Sequence, residues 1–480
     1  MKPHRVNSRQ RPTPVLRAAL LILLAATGSL RADIALAPLF RDGAVLQRDT
    51  PVPVWGFARP GENVVVRFGP NMVATTAGQD GRWFVRLPAQ SVSTTPTELI
   101  AEGSNRLVVR DVLVGDVWLC GGQSNMLMAV RSVRDADQEI AAARHPLLRF
   151  FKVATQFASA PAETVKGEWQ ATTPESIGAQ SAAAYFFGRE LVAQLGVPVG
   201  LVVSSYGNTP IATWRSPAAL AGDDVVASWW QRQQQNTPPP RPHRQPSSGH
   251  HGMIAPLVPY AVRGFLWYQG EADATESRDL APHYAAQFTG LIRDWRLLFG
   301  AGEPLPFYWV QLAGYGRAAP RDWTGVREQQ TRALALPATG QAIALDLGDA
   351  TDIHPKNKQA VGARLARLAL HRTYGHAISD TGPVPQSAEP HGASVVIRFD
   401  SAVLQGEGDL ATTFELAGTD GTFHRVDQAA IDGNTVTLTA QSVPRPVAVR
   451  FGWQDLSAAF LFNSDRLPAA PFHLELPASR

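Results

Sequence analysis

Apolar and polar positions change their period twice along the chain. Between residues 33 and 112 apolar residues come in short runs broken by turn residues. Val52-Pro53-Val54-Trp55 leads to Pro60-Gly61, Val64-Val65-Val66-Arg67-Phe68 follows, and Asp80-Gly81 precedes the alternating Arg82-Trp83-Phe84-Val85-Arg86-Leu87. Short β-branched and aromatic runs between Gly, Pro and Asp turns predict a small β-sandwich domain. From residue 113 strands and helices alternate. Strands are predicted over 112–120, 199–203, 264–268, 307–312 and 341–346, as largely apolar runs. Helices are predicted over 182–195, 284–299 and 357–371, where apolar residues such as Phe288, Leu291, Ile292 and Trp295 fall on one side. Gly196 and Pro198 stop the first helix. This alternation predicts an α/β domain over 113–373, a parallel sheet flanked by helices on both faces. After residue 374 the helical period disappears. Ser394-Val395-Val396-Ile397-Arg398-Phe399 and the turns Asp420-Gly421 and Asp432-Gly433 predict a second β domain over 374–480.

Two segments stand outside that pattern. Residues 1–32 carry Lys2, Arg5, Arg9, Arg11, Arg17 and Arg31 with no acid, an apolar run over 18–30, and the small Ala32. Charged start, short apolar middle and small residue predict a secretory signal peptide, hence a secreted or periplasmic protein. The run falls short of the ~20 residues that span a bilayer, so no integral membrane span is expected after cleavage. Residues 236–249 hold five prolines and read as a solvated surface loop.

Removing the signal changes the charge. The full chain is +3, from 44 basic and 41 acidic residues; without residues 1–32, which hold six basic residues, it is −3. The basic surplus belongs to the signal, and nucleic acid is not indicated as a partner. The single cysteine, Cys120, excludes an intramolecular disulfide and a Cys-rich metal site, and its apolar run marks it as a buried strand residue. His250 and His251 are adjacent, so their side chains diverge and a shared metal is disfavoured.

In an open parallel sheet, ligands gather at the carboxyl ends of the strands. Four such ends carry polar residues. Ser124 follows Gly121-Gly122-Gln123, where two glycines permit a sharp turn and the serine amide can face an oxyanion. The Gly-x-Ser-x-Gly elbow is absent, since Met126 takes the last position, and an ordinary loop serine fits the segment equally well. Gly207 offers an unobstructed amide or a simple turn. Gln269, in Trp267-Tyr268-Gln269-Gly270-Glu271, is an amide donor or a structural side chain. Asp352 and His354 lie two residues apart before Pro355; in an extended segment they face the same way, so the carboxylate can orient the imidazole. Trp214, Trp267 and Tyr268 are candidates for sugar stacking or for the core.

Taken together, these segments resemble the sialate O-acetylesterase family of SGNH (GDSL-like) hydrolases. The resemblance is carried by Gly115-Asp116-Val117-Trp118-Leu119-Cys120-Gly121-Gly122-Gln123-Ser124-Asn125-Met126, by Met253-Ile254-Ala255-Pro256-Leu257, by Trp267-Tyr268-Gln269-Gly270-Glu271, and by Asp352-Ile353-His354-Pro355 with Asn357-Lys358-Gln359. It extends into both flanks, through Pro51-Val52-Pro53-Val54-Trp55-Gly56 and Val447-Ala448-Val449-Arg450-Phe451-Gly452-Trp453. It implies a flavodoxin-like three-layer domain and a serine esterase that removes acetyl groups from an O-acetylated carbohydrate, with no metal or organic cofactor. It implies Ser124 as nucleophile, His354 as base, and the Ser124 amide, Gly207 amide and Gln269 side chain as the oxyanion hole. The chain departs from the pattern at Gly121, where the family often has serine. It also has Thr351 where the superfamily often has the acid, which points to Asp352, with Asp349 in reserve. Acetylated plant polysaccharides such as xylan or xyloglucan are the rival substrate, and a non-catalytic carbohydrate-binding protein is the rival class.

Overall fold

The computed structural model describes residues 33–477 apart from 276, 301–303 and 317–321. The expected signal peptide lies outside the described residues. Among them, no helix is long and apolar enough to cross a membrane.

The central sheet runs in the order Trp169–Thr172, His145–Lys152, Val199–Ser205, Arg106–Gly122, Gly264–Tyr268, Phe307–Val310, Thr339–Ala342. All neighbours pair in parallel except the antiparallel edge strand Trp169–Thr172. Both faces are covered, which is why these strands read as continuous apolar runs. Successive side chains alternate between two cores. Val117, Leu119, Phe265 and Trp267 point to one, with Phe288 and Trp295 of the Tyr284–Phe299 helix. Trp118, Cys120, Leu266 and Tyr268 point to the other, with Phe186 and Leu365 of the helices Ala182–Leu195 and Lys358–Arg372.

The helices fall where the apolar period predicts them. The strands are less legible: Thr339–Ala342 replaces the run expected over 341–346, and His145–Lys152 and Trp169–Thr172 were not anticipated. The boundary expected at residue 112 falls inside one 17-residue strand, Arg106–Gly122. Its first half pairs with Ser93–Glu102 and Val45–Gln47, and its second half is the middle of the parallel sheet. The amino-terminal strands and the central domain therefore share one hydrogen-bonded sheet. At the other end, two four-stranded antiparallel sheets enclose a core that includes Val395, Ile397, Phe414, Leu438 and Phe451. The fully buried Arg327 joins this part to the central domain by donating to the carbonyls of Gln454 and Asp455.

Asp116, in the middle of the long strand, fastens three regions at once. Its fully buried carboxylate accepts from Arg48 at 3.0 Å, Arg263 at 3.0 Å, the Tyr374 hydroxyl at 2.9 Å and Gln47 at 3.2 Å. Burial pushes this carboxyl up, but Arg48, Arg263 and Tyr374 outweigh it and hold the group below the ordinary range. A depressed carboxyl contributes stability above its unfolded pKa of about 3.9, and that contribution is lost as the pH falls through the lower folded value. Asp116→Asn is expected to lower stability at pH 7 by roughly 3 kcal/mol, because two guanidinium groups lose their buried counter-charge and keep only the half-exposed Asp49. Urea melts should show the gap to wild type shrinking below about pH 4.

Candidate active site

The long strand sits where the sheet changes direction. Chain connections leave it first toward 145–152 and 199–205, then toward 264–268 and beyond, so its carboxyl end is a switch point. Gly121 and Gly122 end it for different reasons. A Cβ on Gly121 would stand 2.5 Å from the Trp295 ring, so the serine usual in the family has no room. Gly122 has φ +137°, and a Cβ there would meet the Tyr268 carbonyl at 2.2 Å. The chain then turns, and Ser124 opens the one-turn helix Ser124–Leu127 at the sheet edge.

Ser124 Oγ lies 2.8 Å from His354 Nε2. His354 Nδ1 lies 3.3 Å from Asp352 Oδ1, which also accepts the His354 backbone N–H at 2.8 Å. With its proton on Nδ1, the imidazole faces the carboxylate and accepts the serine proton at Nε2. Asp349 is used differently: its Oδ1 accepts the Thr351 hydroxyl and the backbone N–H groups of Thr351 and Asp352, closing the turn before the histidine. Geometry thus brings Asp352, not Asp349, to the imidazole. On the other side, a Cβ on Gly207 would be 3.5 Å from Ser124 Cβ. Neither the Ser124 nor the Gly207 backbone N–H has a hydrogen-bond partner among the described residues. Both are available to an oxyanion.

Gln269 is placed elsewhere. It is fully buried, its amide N–H groups donate to the Thr209 carbonyl at 3.0 Å and to Asp273, and its Oε1 accepts from the Tyr284 hydroxyl at 2.8 Å. In this structure no donor is left for an oxyanion, so the role implied by resemblance is corrected to one of tying the strand end to the loop after Ser205. Burial raises its partner Asp273 to about 7. Of the two readings open for Trp214, Trp267 and Tyr268, the structure bears out the core. All three are fully buried and cannot stack on a sugar: Trp267 and Tyr268 lie on a strand covered on both faces, and Trp214, in the turn Ile211–Trp214, packs against Trp267. His250 and His251 are buried too, in the π-helical turn His250–Ile254. Among the described residues no group of three or more His, Cys, Asp or Glu side chains could hold a metal.

A buried network that the sequence reading missed lies directly beneath the reactive pair. The Asn125 amide donates to Glu271 Oε1 and, at 3.0 Å, to the Ile353 carbonyl. Asn125 Oδ1 accepts from Lys358 Nζ at 2.8 Å, and the same ammonium donates to the Pro355 carbonyl at 2.6 Å and lies 5.3 Å over the Tyr268 ring. The residue after Ser124 is therefore bonded to one neighbour of His354, Ile353, directly and to the other, Pro355, through Lys358. Burial lowers Lys358 to about 7 and raises Glu271, while Asn125, His354 and Lys358 draw Glu271 back toward its charged form. These residues sit inside the motifs Gln-Ser-Asn, Gln-Gly-Glu and Asn-Lys, but nothing local marks them as partners.

A hydroxyl held against an imidazole, beside free amides at an open sheet edge, is equipped to attack an acyl carbonyl, and the protein is a carboxylic ester hydrolase. Comparison with known proteins narrows this. Residues 114–371 match the carbohydrate esterase family of sialic acid-specific acetylesterases, and the chain belongs to that family. It is 29% identical to the human sialate O-acetylesterase over 96% of each chain. It is 31% identical to the sialate O-acetylesterase of Rattus norvegicus, over 79% of this chain and 81% of the rat protein. Among solved structures, a carbohydrate acetylesterase from Xanthomonas citri is 40% identical and superimposes with a TM-score of 0.82, covering 92% of this chain and 99% of that one.

The network yields a test. Lys358→Met keeps the length of the side chain but removes both of its hydrogen bonds. It is expected to lower kcat on an aryl acetate by about 10- to 100-fold, through misplacement of His354 against Ser124. Circular dichroism should show the fold retained, and KM should change much less than kcat.

Proposed function

We propose that Ser124, His354 and Asp352 serve as nucleophile, base and orienting acid in hydrolysing an O-acetyl ester of a carbohydrate. The observation that carries this reading is the 2.8 Å contact between Ser124 Oγ and His354 Nε2, at the floor of an open cleft of about 690 Å³. Ser124 Oγ attacks the acetyl carbonyl while His354 takes its proton, and the Ser124 and Gly207 amides stabilise the oxyanion. The tetrahedral adduct collapses, the sugar oxygen leaves with the proton from His354, and Ser124 carries the acetyl group. Water then attacks that ester, giving its proton to His354. Acetate departs and the proton returns to Ser124. Residues 1–32 support export, so the reaction is assigned to the periplasm or the cell exterior.

We assign the substrate as an acidic sugar of the sialic acid class. The family match supports this, as do two cations in the cleft wall. Arg131 and Lys356 line the cleft and are exposed, and neither side chain has an ion-pair partner among the described residues. Asp352, the acid in the same wall, faces His354. A sugar carboxylate would meet two cations there, Lys356 being offset in part by the neighbouring Asp349. The 40% identity to the Xanthomonas citri carbohydrate acetylesterase supports acetyl removal from a carbohydrate in general, which leaves a neutral acetylated polysaccharide such as xylan or xyloglucan as the second reading.

Ser124→Ala is expected to lower kcat/KM for an aryl acetate by at least about 10⁴-fold. Activity at the wild-type level would overturn Ser124 as the nucleophile. Acetate release from O-acetylated sialic acid, measured against acetylated xylan and xyloglucan, separates the substrates. Arg131→Met with Lys356→Met should raise KM for the sialic acid substrate about tenfold more than for a neutral one. An equal change for both would remove the charge argument.

A further inference from the structure

We propose that Phe157, Tyr206 and His243 form a stacking platform for a sugar ring next to the one that carries the acetyl group. This rests on the carbohydrate esterase reading. The three rings make one cluster: Phe157 and Tyr206 have centroids 5.0 Å apart, Tyr206 and His243 5.3 Å, and Phe157 and His243 6.0 Å. Each is only half-buried, in contrast to Trp214, Trp267 and Tyr268, and the Tyr206 hydroxyl has no hydrogen-bond partner among the described residues. An aromatic face with a polar tip is suited to a ligand that has both an apolar ring face and hydroxyls.

Topology places the cluster beside the nucleophile. Phe157 follows the His145–Lys152 strand and Tyr206 follows Val199–Ser205, the two strands next in line from the Ser124 strand. The Tyr206 N–H donates to the Gly122 carbonyl at 3.2 Å, and the next residue, Gly207, is the one that approaches Ser124 Cβ. His354 comes from beyond the opposite end of the sheet, after Thr339–Ala342. The platform thus lies across the Gly207 amide from the imidazole, where a neighbouring sugar would extend.

His243 comes from the proline-rich segment, whose first residues, 236–242, form the exposed loop its composition suggests, while 243–249 turn inward. The His243 carbonyl accepts from Thr213 Oγ1 at 3.1 Å, and the preceding Pro242 carbonyl accepts from Ser248 Oγ at 2.8 Å. The following Arg244 is buried and donates to Asn208 Oδ1 at 3.1 Å and Ser277 Oγ at 2.7 Å. Asn208, next to Gly207, takes the left-handed conformation at φ 55°. Burying a guanidinium and holding a strained asparagine are both unfavourable. A loop with no role beyond connection would avoid them, whereas here they fix an imidazole against Tyr206.

The test compares wild type with Phe157→Ala and His243→Ala on 4-nitrophenyl acetate and on whichever acetylated oligosaccharide the wild type cleaves. The ratio of kcat/KM for the oligosaccharide to that for the aryl acetate is expected to fall about tenfold in each variant, mainly through KM. An unchanged ratio, or an equal loss on both substrates, overturns the platform. Titration calorimetry of sialyllactose and of xylohexaose onto Ser124→Ala protein needs no turnover. The Kd of the sugar that binds should rise about tenfold when Phe157→Ala is added, and an unchanged Kd, or no binding of either sugar, overturns the platform. Failure of the esterase reading is recognised separately, by wild-type activity that survives Ser124→Ala.

Discussion

Ser124 and His354 are 230 residues apart in the chain, yet their side chains must meet within a few tenths of an ångström for a proton to pass. The structure achieves this through one amide. Asn125 follows the serine, and its amide bonds reach the Ile353 carbonyl, Glu271 and Lys358, which in turn holds the Pro355 carbonyl. Both backbone neighbours of the histidine are fixed to the backbone neighbour of the serine. The reactive atoms inherit their spacing from that tie and are themselves left free to react. Asp352 meets the imidazole from the solvent side, where its contact with His354 is screened and open. The buried network beneath does the holding.

That arrangement carries an energetic cost that hydrogen bonds offset only in part, since Glu271 Oε2 is buried without a hydrogen-bond partner among the described residues. A lysine and a carboxylate taken out of water destabilise the fold unless their polar atoms find partners. Lys358 has two carbonyl-type acceptors and an aromatic face, and Glu271 has Asn125. The same logic recurs away from the site. Asp116 is surrounded by donors from three regions, and Arg327 is buried among carbonyls that join the central and carboxy-terminal parts. Large apolar cores on both faces of the sheet supply the stability against which these polar ties are set.

The edge of the sheet divides labour by strand. The Arg106–Gly122 strand ends in glycines because Trp295 and the Tyr268 backbone leave no space for a side chain, and this lets Ser124 project. The strands to one side deliver Gly207, Tyr206 and Phe157. The segments to the other deliver Glu271 and His354. Half-buried aromatics and free amides on one hand, imidazole and cations on the other, form two unlike walls.

Much of this was legible in the amino-acid sequence, because it depends on neighbours in the chain. The 3.6-residue period located the three long helices, since one face of each had to be buried. The Asp352-Ile353-His354-Pro355 segment suggested its pairing as an extended run, but the chain bends at Ile353 and His354, and the pair meets because the Asp352 carboxylate caps the His354 N–H. Short strands such as His145–Lys152 escaped notice, since four to eight residues carry little periodic signal. Motif resemblance brought Gln269 forward as a donor, but whether an amide is free or spent depends on Thr209, Asp273 and Tyr284, which only folding brings near it. Trp267 and Tyr268 look the same in sequence whether they face a ligand or a core. The proline-rich segment likewise concealed the seat of His243, because Thr213, Ser248 and Asn208 had to be in place to hold it. Local sequence determined which groups could do chemistry and which elements would carry them. The tertiary structure alone decided which of those groups meet, because hydrogen bonding and burial are relations between distant residues and no single stretch of chain contains them.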